Sequence, residues 1–288
     1  MKWIREGEIF SPTSYSDPDS ARAFRPWVIE DQKGVLKMWY SGHDGATWRI
    51  LRATKRPDEP WERNGVVIDT GFSGDTDGFG VESPCVVTTP AGYLMAYGGS
   101  DGEVTRLHMA TSQDGEEWVP HGTIMQRGAE DALTATDPCL MVSGPRWWLF
   151  YSGYVGSSRG RRGAILGAIS SSGASWDRMG PVLEPEGDEI AVSHPCVLDI
   201  SRTYYMFYAG GDGTRFSIAM ASSSDGAFWQ RRGVTLSPSE PKEASLHTPC
   251  ALRLHDGSLH IWYAALGTDD AQLGYRIYSA RFPGRWSL

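Results

Sequence analysis

No run in this 288-residue sequence approaches the ~18 apolar residues that a membrane-crossing helix needs, which excludes an integral helical membrane protein. The first seven residues, Met1-Lys2-Trp3-Ile4-Arg5-Glu6-Gly7, hold no apolar stretch of signal-peptide length, so a soluble, cytoplasmic chain is expected. Basic residues are outnumbered by acidic ones (27 against 35) and form no long run. The resulting net charge of −8 argues against nucleic acid as a partner. Cysteine is scarce: Cys85, Cys139, Cys196 and Cys250 are the whole set, and no Cys-x-x-Cys spacing occurs. Neither a metal nor a cofactor is expected. Helical periodicity of useful length is absent too.

Tight turns and large aromatic side chains are plentiful instead, with 34 glycines and 12 tryptophans. They fall into a repeat, the first thing to establish in a chain of this kind. Pro26, Pro84, Pro138, Pro195 and Pro249 recur at spacings of 58, 54, 57 and 54 residues. Tyr40, Tyr97, Tyr151, Tyr208 and Tyr263 keep the same phase, as do Trp61, Trp118, Trp176, Trp229 and Trp286. Each unit reads as four short strands. A proline strand comes first, then an aromatic one ending in small residues, then one ending in Ala-Ser or Ala-Thr. The fourth opens at the tryptophan after a turn such as Ser224-Asp225-Gly226. The pattern predicts an all-β, five-bladed β-propeller of four-stranded antiparallel blades, residues 1–288 forming one domain. Trp3-x-x-x-Gly7 matches Trp61-x-x-x-Gly65 and its counterparts, so residues 2–10 are expected to close the last blade as its outer strand. The cysteines share one repeat position in four units, which speaks for buried packing thiols rather than disulfides.

Propeller topology puts the loop before each first strand, and the turn between the second and third, on one face around the central channel. The residues before the five prolines therefore gather at a funnel mouth: Phe24-Arg25, Glu82-Ser83, Thr136-Asp137, Ser193-His194 and His247-Thr248. Polar groups there can simply cap strand ends. Convergence of Arg25, Glu82, Asp137, His194 and His247 on one funnel points instead to a site. The same-face turns add His43, Asp44, Trp48, Arg49, Asp101, Arg106, Arg159, Arg161, Arg162, Asp212, Arg215, Asp269 and Asp270. Recurring arginine is either solvated turn charge or a receptor for an anionic group on the ligand, since its fork donates paired hydrogen bonds. Trp48 is placed to stack on a sugar ring, whereas Trp27 is read as packing.

Tyr40-Ser41-Gly42, Tyr151-Ser152-Gly153, Tyr208-Ala209-Gly210 and the turn Ser112-Gln113-Asp114-Gly115-Glu116-Glu117-Trp118 resemble the five-bladed propeller glycosidases. That superfamily includes glycoside hydrolase families 43, 32 and 68 and the mannoside phosphorylase family 130. The resemblance covers essentially the whole chain and implies carboxylates around a scissile glycosidic bond. Asp137-Pro138 matches the third-blade Asp-Pro of families 43, 32 and 68. Arg25 stands where their first-blade carboxylate is expected, and His194 where the fourth-blade acid is expected; Asp17, Asp19, Asp188 and Glu189 are the nearby substitutes. Gly80-Val81-Glu82-Ser83-Pro84 is similar to the Gly-x-Glu-Asp-Pro of family 130, which uses phosphate or water.

The sequence thus leads to a carbohydrate-active enzyme that hydrolyses or phosphorolyses a glycosidic bond. Asp137, Glu82 and His194 are the catalytic candidates. Arg25, His247, Trp48, Arg106 and Arg215 are the substrate-binding candidates, for a small-molecule or oligosaccharide ligand. Two alternatives stay open: the same fold turned to another reaction on a sugar-like or anionic metabolite, or a propeller that binds without catalysis.

Overall fold

The computed structural model describes residues 2–14, 16–143, 145–157, 160–239, 241–268 and 274–284, with backbone alone at 143, 157, 160 and 161. Twenty β-strands make up all the regular structure among these residues. No helix among them is long and apolar enough to cross a membrane. The strands pair antiparallel in fours. The first unit comprises Arg22–Glu30, Leu36–His43, Trp48–Lys55 and Glu62–Ile68, joined in that order. The units that start at Gly80–Thr89, Thr134–Ser143 and Ala191–Ile200 repeat the arrangement. Single parallel pairings, Thr134 with Thr105 and Gly163 with Ala191, merge these three into one 12-stranded sheet. In the last unit Ser245–Arg253, Leu259–Leu266 and Arg276–Arg281 are completed by the N-terminal strand Ile4–Phe10, which pairs with Arg276–Arg281. Trp286, a repeat landmark of the sequence, lies outside the described residues.

Burial falls from the inner strands outward. Met38, Trp39 and Tyr40 of a second strand are fully buried in succession, whereas the outer strand Glu62–Ile68 is exposed along most of its length. Strict alternation is lost on the inner strands because both faces of each sheet are covered by neighbouring units, so consecutive side chains meet protein. The core is accordingly split into five clusters between adjacent units, and Trp27 packs against every one of them. Its indole N–H donates to Val86 O at 2.8 Å, and the residue lines both the small cavity at the prolines and a second cavity of ≈ 300 Å³ bordered by the residues that follow them, Val28, Val86, Val197 and Ala251 among them. The packing expected of Trp27 is the packing of a plug.

Trp27 occupies the position that cysteine holds in the other four units. All four thiols are free and buried. Each accepts a backbone N–H from the next proline strand: Leu140 to Cys85, Val197 to Cys139, Ala251 to Cys196 and Val28 to Cys250, at 3.1–3.2 Å. Small, polarizable side chains at the tightest point of the fold thereby serve backbone donors that would otherwise be buried without a partner.

Candidate active site

A proline in the middle of an inner strand cannot donate to the ladder, and the five proline strands resolve this in one way. Antiparallel pairing skips two residues at each, between Phe24 and Trp27, Glu82 and Cys85, Thr136 and Cys139, Ser193 and Cys196, and His247 and Cys250. The residue before each proline is left-handed, with φ of 54° at Arg25, 57° at Ser83, 53° at Asp137, 56° at His194 and 49° at Thr248. Such backbone is strained for residues with a side chain, and a bulge re-aims the side chain it carries. All five of these residues line the axial cavity together with their prolines. That cavity is only ≈ 30 Å³, too small for a sugar.

At the centre Arg25 bridges two carboxylates, its Nη1 2.5 Å from Glu82 Oε2 and its Nε 2.9 Å from Asp137 Oδ1. Both contacts are ion pairs without hydrogen-bond alignment. Asp137 also accepts from Ser83 Oγ at 2.9 Å, and its Oδ2 lies 3.4 Å from His194 Nε2. Thr136 Oγ1 reaches Glu82 Oε1 at 3.4 Å. The second-strand serines secure the bulges, Ser41 Oγ accepting from Ser83 N and Ser152 Oγ from His194 N, both at 2.9 Å.

Burial pushes the Asp137 carboxyl upward, but the Arg25 guanidinium and the other polar groups around it, Ser152 and Ser83 among them, together outweigh burial and hold Asp137 below the usual carboxylate range. For Arg25 the balance is the same: burial opposes its charge, and Asp137 followed by Glu82 more than restores it. The histidines go the other way. Burial lowers His194 to about 4 and His247 to about 3, so both are neutral near pH 7. Ser193 Oγ is 2.8 Å from His194 Nδ1, and Ser245 Oγ is 2.9 Å from His247 Nε2.

Above this group stands an aromatic collar. Phe24 lies 4.2 Å from Tyr275 and 6.2 Å from Trp48 between ring centroids, and His247 lies 5.3 Å from Tyr275 and 4.7 Å from Phe216. Arg22 sits over the Trp48 ring.

Arg25, Glu82, Asp137 and His194 are therefore brought into one contact network, with His247 beside His194 at 6.0 Å and Trp48 in the collar. Arg106 forms a 2.6 Å ion pair with Asp101 inside its own turn, and Arg49 does the same with Asp44. Arg215 is exposed on a turn whose backbone is organised by Asp212. Arg106 and Arg49 are thus tied into their own turns, while Arg162 lies 3.9 Å from Glu184. Arg159, Asp269 and Asp270 lie outside the described residues, as does the Arg161 side chain. Three of the substitute carboxylates are engaged elsewhere: Asp19 is buried against Tyr40 and Arg63, Glu189 pairs with Arg231, and Asp17 accepts from Ser14; Asp188 is exposed. The collar residues Phe24, Phe216 and Tyr275 carry no sequence signal beyond their place near strand starts.

No protein-family model matches the chain. Two uncharacterized proteins from two strains of Mycobacterium tuberculosis are each 24% identical over 304 aligned residues, covering 96% of this chain and 99% of the relative. Among solved structures, a glycoside hydrolase superposes with a TM-score of 0.80 at 18% identity, over 99% of this chain and 93% of the other. A thermostable family-43 glycoside hydrolase gives 0.76 at 15% identity, over 92% and 91%. A structure from the family-130 mannoside phosphorylases, a family that contains glycoside hydrolases acting on β-1,2-mannosidic linkages, gives 0.71 at 17%, over 96% and 93%. At such identities the likeness establishes the fold: the chain has the fold of the β-propeller glycosidases.

Proposed function

We propose that this propeller is a single five-bladed domain that cleaves a glycosidic bond at the mouth of its funnel. The observation that carries the reading is the network of Glu82, Arg25, Asp137 and His194 at the axis of a fold found in glycoside hydrolases and mannoside phosphorylases. Cleavage requires a proton for the departing oxygen. Asp137 is sealed and held ionised by Arg25, and burial keeps both histidines neutral. Glu82, with its side chain 16% exposed against 5% for Asp137, is the carboxyl within reach of a ligand. In this reading Glu82 enters the reaction protonated and gives that proton to the departing oxygen, and an attacking water releases its own proton to solvent. With one reachable carboxyl, the attacking water or inorganic phosphate comes as a reactant, without a protein nucleophile. Phe24, Trp48 and Tyr275 offer apolar surface to the sugar, and His247 offers a polar edge.

Glu82→Gln should lower turnover about 10²–10⁴-fold while sugar binding persists. Equal turnover by wild type and Glu82→Gln would remove Glu82 from the chemistry. A second reading, sugar binding without cleavage, is favoured by Arg25 itself, which stands between the two carboxylates. It predicts glycoside binding by calorimetry with no product from any substrate, with or without phosphate.

A further inference from the structure

Four of the five units hold the loop leading into their proline strand with the same clasp. The tyrosine ending the second strand donates to, or shares an arginine with, a loop carboxylate, and an arginine two residues after the fourth-strand tryptophan grips both. The sets are Tyr40–Asp19–Arg63, Tyr151–Asp131–Arg178, Tyr208–Glu189–Arg231 and Tyr263–Glu243–Arg5. In each, the arginine also donates to a backbone carbonyl of the loop: Ser11, Gln126, Glu184 and Ser237. The second unit keeps the tyrosine and the acid, Tyr97 donating to Asp77 at 3.1 Å, but has Pro120 where the arginine belongs. His108 stands in, Nε2 2.8 Å from Thr76 Oγ1, in a neutral contact that grips no carbonyl of the loop.

The same unclasped loop carries two of the most exposed large apolar side chains among the described residues, Phe72 (86% exposed) and Phe79 (61%). Its tip, residues 72–75, bonds to itself through Asp75 N to Phe72 O and Phe72 N to Asp75 Oδ2, while its flanks are held from outside by Arg49 on Asp69, His108 and Thr123 on Thr76, Tyr97 on Asp77 and Ser100 O on Phe79 N. The loop leads directly into the strand of Glu82, and Gly80, next to Phe79, abuts Trp48 of the collar. A missing clasp arginine, solvent-facing aromatic rings and continuity with the site coincide in one loop of the five.

We propose that residues 69–79 are a ligand-contact flap, with Phe72 and Phe79 closing on the apolar face of a sugar unit bound over Glu82. The assignment rests on the glycoside reading above. Its ligand class is a saccharide that extends from the funnel toward the second unit, because stacking on ring C–H faces uses aromatic surface without requiring a charge.

The test joins hydrogen exchange with calorimetry, using a panel of methyl glycosides and disaccharides with and without inorganic phosphate. In the free protein, amides of 71–78 should exchange faster than those of the four clasped loops. The variant His108→Leu/Pro120→Arg, which restores the clasp, should slow them. A saccharide that binds wild type should protect the flap, and Phe72→Ala/Phe79→Ala should weaken it about tenfold while leaving the thermal midpoint unchanged. Unchanged affinity in Phe72→Ala/Phe79→Ala, beside a saccharide that binds wild type, overturns the flap and leaves the glycoside reading standing. Exchange at 71–78 no faster than in the clasped loops also overturns it. If no saccharide binds wild type, the glycoside reading falls first and the flap's role falls with it.

Discussion

At neutral pH Arg25 faces two carboxylates in a site largely closed to water, and removing its charge leaves Glu82 and Asp137 facing each other. Arg25→Met should cost about 3–5 kcal/mol at pH 7, the scale for a buried ion pair broken from one side. Denaturant midpoints should show part of the loss returning at lower pH, where a proton replaces the guanidinium; a loss independent of pH would mean a packing defect. The histidines set a second pH dependence. As pH falls through 6.5 the unfolded chain takes up protons at His194 and His247, whereas the folded chain does so only near 4 and 3. Stability is therefore complete above pH 6.5 and declines as pH drops toward 4, by up to about 1.4 kcal/mol per pH unit for each histidine. His247→Phe should flatten that decline, measured by unfolding midpoints between pH 7 and 4.5; an unchanged slope would mean that His247 titrates normally. The residues of this centre were legible in the sequence, because repeat phase puts each beside its proline. Their partnership was not: Arg25, Glu82 and Asp137 are far apart in the chain, and only closure of the inner strands makes a lone arginine the counter-ion of two acids.

At the scale of the elements, local rules leave traces in the sequence. A proline inside a buried strand already implies a bulge, and the chain carries five of them, yet which side chain each bulge turns inward depends on the left-handed residue before it. The clasps left a clearer trace. Arginine follows the tryptophan by two residues at Arg5, Arg63, Arg178 and Arg231, and gives way to Pro120 after Trp118, where the glycine two residues further on persists as Gly122. Asp131 is wholly buried and depends on Arg178 and Tyr151. Arg178→Met should therefore destabilise by about 3 kcal/mol, with the arginine's partial exposure keeping the figure at the low end for a buried pair. Asp131→Asn in the same chain should recover part of it, and a double-mutant cycle in urea gives the coupling; additive losses would contradict the clasp.

For the whole molecule, the fold was legible because five copies of one pattern reinforce each other, and the closure at residues 2–10 was readable from Trp3-x-x-x-Gly7. The structure adds that the N-terminal strand brings Arg5 to Glu243, so the last unit has a clasp made from both ends of the chain. Trp3 is buried, donates to Thr235 Oγ1 at 2.8 Å and meets Phe207 and Phe282 edge-on. Trp3→Ala should cost about 3–5 kcal/mol despite its place near a terminus; a negligible change in the urea midpoint would mean that the ring does not depend on this strand. The reaction was the least legible property, because fold leaves chemistry to a few side chains and here one of them is an arginine. The decisive measurement compares sugar release from methyl and p-nitrophenyl glycosides, with and without phosphate, by wild type and Glu82→Gln. Nitrophenolate leaves without a proton and methoxide does not, so Glu82→Gln should fail far more severely on the methyl glycosides than on the p-nitrophenyl ones. Equal losses on the two leaving groups, or no release by wild type from either, would contradict a glycosidase with Glu82 as its acid.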